Sequence, residues 1–241
     1  MVEKIDDRSP DAAHARTGRR AALSRAQVLT AALALIDAEG VEALSMRKLG
    51  KVLDRDPMRL YRHAASKNAL LDGVVDVVLS ELHVPPTDHG DWEAVLRRSA
   101  HGFRALALAH PHVVPLLVTR PLATPLAMRP LGALRLLESL LELFVEAGFA
   151  HPGALHACRL YIGFLYGHVL NELQENVQDP DETDELLRLG LYRLPAREFP
   201  RLRELAGELA RYDGERELDE GLDVILAGLR EHLEAGSATA S

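Results

Sequence analysis

The chain has 241 residues, 47% of them hydrophobic and only 5% aromatic, with one cysteine and a formal net charge of −8. That length carries one large or two modest domains, and a Leu- and Ala-rich, aromatic-poor balance favours packed helices over sheets. No apolar run of about 18 residues and no apolar signal core occurs, which excludes a membrane span and an exported precursor as expectations, while the lone Cys158 excludes an intramolecular disulfide and fits a reducing cytoplasm.

The charge is unevenly placed. Residues 14–71 hold 11 Lys/Arg against 5 Asp/Glu, a net of +6, whereas residues 72–241 hold 15 Arg, no Lys and 27 Asp/Glu, a net of −12. A basic N-terminal quarter on an acidic remainder predicts a small polyanion-binding module joined to a larger body that stays off the polyanion.

In chain order, residues 1–22 are polar, mixed in charge and aperiodic, and read as a disordered arm with a cationic cluster at Arg16, Arg19 and Arg20. Ser24 is placed to cap a helix to about Glu39, with Val28, Leu29, Ala32, Leu35 and Ile36 as its apolar stripe and Gly40 as its stop. Ser45 caps a second helix with Met46, Leu49, Val52 and Leu53 at helical spacing. Asp54-Arg55-Asp56-Pro57 then makes a turn and a fresh N-terminus, and a short helix carries Met58 to His63. Leu49, Val52 and Leu60 are expected in the core. Helix, tight turn and a short helix bearing basic and aromatic groups is the pattern of a helix-turn-helix that enters a DNA major groove. Ser66 caps a linker helix from Lys67 to about Leu82, and the break at 83–90 places the boundary of the module.

The remainder reads as helices. One runs from Trp92 to about Ala109 behind Asp91, and a short one from Pro111 ends near Val118, interrupted by Thr119-Arg120-Pro121. Another, from Pro125 or Pro130 to Glu146, is followed by a long apolar helix over about Gly153 to Asn176. Residues 178–187 read as an acidic loop, and helical patterns resume at about Phe199–Arg211 and Glu215–Glu234 before a small-residue tail. The predicted fold is all-α: a disordered arm (1–22), a three-helix helix-turn-helix domain (23–68), a linker helix and loop (69–90), a larger ligand-binding and dimerisation domain (91–234) and a tail (235–241).

The stretch SRAQVLTAALALIDAEGVEALSMRKLGKVLDRDPMRLYRHAASKNALLDGVVD resembles the N-terminal domain of TetR-family (tetracycline-repressor-like) transcriptional regulators. The shared features are the Glu-Gly after the first helix, the Arg-Lys-Leu of the second, and the Leu-Tyr-x-His followed by Lys of the third and fourth. The resemblance extends more weakly into the body at WEAVLRRSAHGFRALALAHP, the Thr-Arg-Pro at 119–121, EAGF at 146–149 and YIGFLYGHVLNELQE. It implies an all-α homodimer that sets one helix-turn-helix per subunit into successive major grooves of palindromic double-stranded DNA and is released by a small molecule.

Carried over residue by residue, the resemblance places Arg47, Pro57, Met58 and Arg59 on base edges, with Tyr61, His63 and Lys67 on phosphates and Lys48 beside them. Arginine can read guanine in a bidentate way, and apolar Pro57 and Met58 suit thymine methyl groups. One departure is Asp54-Arg55, where relatives often carry Gly-Val; aspartate tolerates a left-handed turn. In the body, the positions that hold tetracycline's magnesium in the tetracycline repressor are Leu116 and Asn171 here, so drug–magnesium binding is not expected, nor any other metal or cofactor: the histidines are scattered and none sits in a zinc motif. A mostly apolar effector pocket is expected among Ser99, Phe103, Leu106, Leu116, Leu140, Phe144, Tyr161, Phe164 and Leu165, with His168 and Asn171 as polar anchors. Gly153–Leu173 is apolar nearly all round, with Gly163 and Gly167 allowing close approach; with the last helix it is expected to pair with a second copy.

No Gly-rich phosphate loop, nucleophile–base set or paired acidic motif is present, so an enzyme with a basic appendage is the weaker alternative. The expected function is a cytoplasmic, effector-controlled transcriptional repressor; activation would use the same DNA contacts.

Overall fold

The computed structural model describes residues 23–85, 90–123, 125–126, 129–177 and 184–239, and every regular element among them is helical. The arginine cluster of the arm lies outside the described residues. Helix α1 (Arg25–Glu39) opens on a reciprocal cap, in which Ser24 Oγ accepts from the Gln27 amide at 3.1 Å and Gln27 Oε1 accepts from the Ser24 amide at 2.9 Å. Its apolar stripe is fully buried, with Ile36 and Ala32 at 0% exposure. After a short 3₁₀ turn (Val41–Ala43), α2 (Met46–Leu53) and α3 (Pro57–Leu60) pack on each other, and α2 packs on α1.

The linker helix α4 (Lys67–Ser80) lies against α1, where Gly73 permits the crossing: a Cβ there would stand 2.6 Å from Leu29 Cδ2. Its other faces meet α6 and α7, so Leu70, Leu71, Val74, Val75, Val78 and Leu79 are all buried between the N-terminal module and the body. Each such aliphatic side chain withdrawn from water is worth about 1.5–3 kcal/mol. One contiguous core therefore runs from α1 through α4 into the body.

The body is built from α5 (Trp92–Ala109), α6 (Val114–Ala123), α7 (Leu131–Glu146), the long α8 (His151–Val177), α9 (Asp184–Tyr192), α10 (Pro200–Glu204), α11 (Ala206–Leu209) and α12 (Gly214–Thr239). Helix α8 is its axis and touches α5, α6, α7 and α12. Three expectations are corrected here. Helix α6 continues through Thr119-Arg120-Pro121, where Thr119 Oγ1 donates to the Pro115 carbonyl at 2.7 Å and Arg120 is anchored to α4. Residues 184–187, read as loop, begin α9, while 178–183 fall outside the described residues. The expected tail is helical as far as Thr239, an extension of α12.

Polar contacts also clamp the module to the body. His110 Nδ1 lies 2.9 Å from Asp37 Oδ2, and His112 Nδ1 sits 3.1 Å and 3.2 Å from the Ile36 and Asp37 carbonyls at the end of α1. Arg120 reaches Asp72 and the Asn68 carbonyl on α4, and Asp76 accepts from the Gly132 amide at the start of α7.

Candidate nucleic-acid interface and effector cavity

The turn between α2 and α3 depends on two backbone facts. Asp54 adopts φ +50° and ψ +52°, the left-handed region, and is the single non-glycine residue with positive φ among those described. Its amide reaches back to the Gly50 and Lys51 carbonyls, and the Arg55 amide bonds Gly50 O at 2.9 Å. Gly50 lets the chain fold that tightly, since a Cβ there would lie 2.8 Å from the Arg55 carbonyl oxygen and 3.1 Å from Pro57 Cγ. Arg55, the departure noted above, bends its Nη1 onto the Asp54 carbonyl at 3.0 Å and stays half-buried. Asp56 then caps α3 by accepting from the Met58 amide at 2.9 Å, with Pro57 in the first turn.

This geometry projects Met58, 72% exposed, into solvent together with Arg59, while Leu60 is wholly buried behind them. Tyr61 follows at 46% exposure, in the turn that ends α3, with His63 half-buried. Arg47 is exposed on the first turn of α2. Lys67 stands at the start of α4, where Ser66 caps by accepting from the Ala69 amide. Lys48 is held by an ion pair with Glu39 at the end of α1, which keeps its ammonium close to the protein surface. Val52, expected in the core, is 57% exposed: α3 is only one turn long, and Leu49 with Leu60 closes the contact with α2 without it.

The second feature is a cavity of about 1080 Å³, counting its open mouth, walled by α4, α5, α6, α7 and α8. Of the expected residues, Ser99, Phe103, Leu140, Tyr161 and Leu165 line it. The others sit elsewhere. Phe144 packs with Trp92 and Phe149 (ring centroids 6.1 and 5.4 Å), Phe164 lies against Gly221 on α12, and Asn171 is exposed. Leu106 is buried and Leu116 half-buried in the packed core. His168 is buried beside Glu172 at 3.4 Å. What helical periodicity did not assign was the wall from α4 (Asp72, Val75, Leu79) and the arginines Arg120 and Arg129; the wide apolar face of α4 was the available signal.

Inside the cavity the polar atoms divide into two groups. Tyr161 OH donates to the Leu96 carbonyl at 2.7 Å and lies 2.7 Å from Ser99 Oγ, which itself reaches Leu96 O at 3.0 Å. Burial pushes the Tyr161 hydroxyl well above its ordinary pKa, so it remains a protonated donor. Tyr166, likewise raised by burial and offset by Arg129, stacks at a tilt on Phe103 with centroids 5.7 Å apart. Toward α4 the wall is ionic, with Arg120 Nε 2.5 Å from Asp72 Oδ1.

Residues 84–233 match the family model described as "Tetracyclin repressor-like, C-terminal domain". An HTH-type transcriptional regulator of Saccharopolyspora erythraea is 30% identical over 209 residues, 86% of this chain and 84% of that protein. The chain belongs to the TetR family. The class C tetracycline repressor of Escherichia coli is 27% identical over 86% of this chain and 90% of its own length. Among solved structures, the TetR family protein ActR of Streptomyces coelicolor, in complex with actinorhodin, superposes with a TM-score of 0.74 at 30% identity, covering 88% of this chain and 99% of that one. This is a TetR-family transcriptional regulator, then, from a family of regulators rather than of enzymes, whose members bind operators and small-molecule effectors and act as dimers. At the two positions where the resemblance pointed to metal ligands, Leu116 is half-buried and Asn171 faces solvent, and neither offers a carboxylate or imidazole.

Proposed function

We propose that the protein is a homodimeric repressor that occupies a palindromic operator through α2 and α3 and is released when a small, largely apolar effector fills the cavity. Arg47, Pro57, Met58 and Arg59 read base edges; Tyr61, His63 and Lys67 hold phosphates, with Lys48 as a further contact. Working on DNA, it acts in the cytoplasm; no helix among the described residues is long and apolar enough to cross a membrane. The observation that carries the reading is that α4 is at once a wall of the cavity and the helix that begins at Lys67. A ligand that rearranges Asp72, Val75 or Leu79 acts on the same rigid element that positions a phosphate contact, and a ligand that binds the two placements of α4 unequally shifts the balance between them.

The dimer face is read from α8 and α12. Leu160 and Val224 are 46% and 75% exposed, and none of the described residues lies within 4 Å of a Cβ built on Gly163, Gly167 or Gly228, which leaves an apolar, low-relief surface for a second copy.

The test is selection of an operator from random duplex DNA, followed by binding across a salt series. The expected result is a palindromic consensus with affinity falling linearly in log–log against salt. Binding without sequence preference, or without a salt slope, overturns the reading.

A further inference from the structure

We propose that the effector is an anion: a planar apolar body bearing a carboxylate, sulfonate or ionised phenol, with Arg120 as the group that reads the charge. The inference rests on the cavity being the effector site, as argued above, and adds the chemistry of its occupant.

Three observations converge. First, the polar pair deep in the cavity is spent. The Tyr161 hydroxyl and Ser99 Oγ are bound to each other and to the Leu96 carbonyl, so neither needs a ligand. Second, Arg120 is under-used. A guanidinium has five N–H donors; its Nε engages Asp72 and its Nη2 the Asn68 carbonyl, which leaves three without a partner among the described residues in a side chain only 20% exposed. Third, the enclosure around Arg120 is mostly apolar, walled by side chains such as Val75, Leu79, Leu137 and Leu140, so little there competes with a ligand for those donors. An occupant with no acceptor strips water from the Arg120 donors and returns nothing, and a cation is repelled by the guanidinium. An anion satisfies the unused donors through charge-assisted hydrogen bonds, and it competes with Asp72 for the same guanidinium. The Phe103–Tyr166 pair supplies the surface for a flat ring system.

The test uses two fluorescent probes with one skeleton, 8-anilinonaphthalene-1-sulfonate and its uncharged counterpart N-phenyl-1-naphthylamine, titrated into the full-length protein. The sulfonate is expected to bind more tightly. Arg120→Gln should weaken it about tenfold to a hundredfold, the range of a charge-assisted hydrogen bond, with little change for the neutral probe. Asp72→Asn, which removes the competing carboxylate at constant shape, should tighten the sulfonate. Ala133→Phe, which fills the cavity, should weaken both, with circular dichroism confirming that each variant is folded. Equal binding of the two probes, or an equal loss of both in Arg120→Gln, overturns the charge assignment while leaving the cavity as effector site. Probe binding that ignores Ala133→Phe, or no binding of either probe, overturns the cavity itself and the proposal with it.

Discussion

Arg104 on α5 holds both oxygens of Glu172 on α8, with Nε at 2.9 and 3.1 Å and Nη2 at 2.7 Å. The glutamate side chain is only 3% exposed, and its Oε1 fills the space a Cβ on Gly214 would need, so the pair also fixes where α12 begins. Removing one partner strands a buried charge, which costs more than the intact pair contributes. Arg104→Met is therefore expected to lower unfolding free energy by about 3–5 kcal/mol, and Arg104→Met with Glu172→Leu to recover most of it. Urea denaturation checks this; a single-variant loss no larger than a surface pair gives would show that water reaches the carboxylate.

The turn gives a second prediction. A left-handed backbone costs a side chain with a Cβ about 1–2 kcal/mol, and at Asp54 the chain adopts it. Asp54→Gly should be neutral to stabilising, and Asp54→Val destabilising by that amount. Gly50→Ala should be worse for DNA binding than for stability, because its methyl presses on the Arg55 carbonyl and Pro57 and displaces the start of α3. Thermal melts beside operator titrations separate the two effects.

How much of this was legible depended on whether a residue's role is local. Ser24, Ser45, Asp56, Ser66 and Asp91 are caps because their own side chains meet amides two or three residues on, and each could be read from spacing. That Asp54 could take a left-handed turn came from the resemblance, through the glycine relatives carry there, together with what aspartate tolerates. The cavity was not. Periodicity marks Phe144 and Phe103 alike as apolar helix positions, yet one packs against Trp92 and the other faces the cavity. Which face meets a void is set by helix crossing, a property of pairs of helices. Pro121 misled as well: α6 runs past it, and the preceding Arg120 ties that turn to Asp72, a contact 48 residues away in the chain that spacing does not show.

At the DNA face, base-reading and phosphate-holding side chains differ in what their loss does. Arg59→Ala should relax preference at one base pair and cost about 1–3 kcal/mol on the best operator. Lys67→Ala should weaken all sequences alike and reduce the salt slope by about one. Met58→Ala should leave stability unchanged, since the side chain is 72% exposed, while lowering operator affinity. The reverse pattern for Arg59 and Lys67 would exchange their roles.

The bare face of α8 and α12 leads to a prediction on assembly. Leu160→Arg combined with Val224→Arg places cations on two exposed apolar positions without touching the core of the subunit. The expected outcome is a folded monomer by sedimentation, with operator affinity reduced far more than half-site affinity. A dimer that survives both changes would move the interface elsewhere.

His168 sets a pH dependence whose sign follows from burial. Its side chain is 6% exposed, and burial lowers its pKa below the ordinary 6.5, opposed by Glu172 and reinforced by Arg104. The folded protein therefore keeps the imidazole neutral at a pH where the unfolded chain has begun to protonate it. With more protons bound in the unfolded state, stability must fall as pH drops from about 6.5 toward the folded value, and the contribution is fully present only above about 6.5. The limiting slope for one proton is about 1.4 kcal/mol per pH unit. His168→Gln, which keeps a polar side chain of similar length, should remove that slope while leaving the dependence on other groups intact. Unfolding free energies of both proteins at pH 7.5, 6.5 and 5.5 test it: the difference between them should be constant above neutrality and shrink on the acid side. A difference that grows toward acid would mean the imidazole is charged in the fold, drawn up by Glu172 more than it is pushed down by burial.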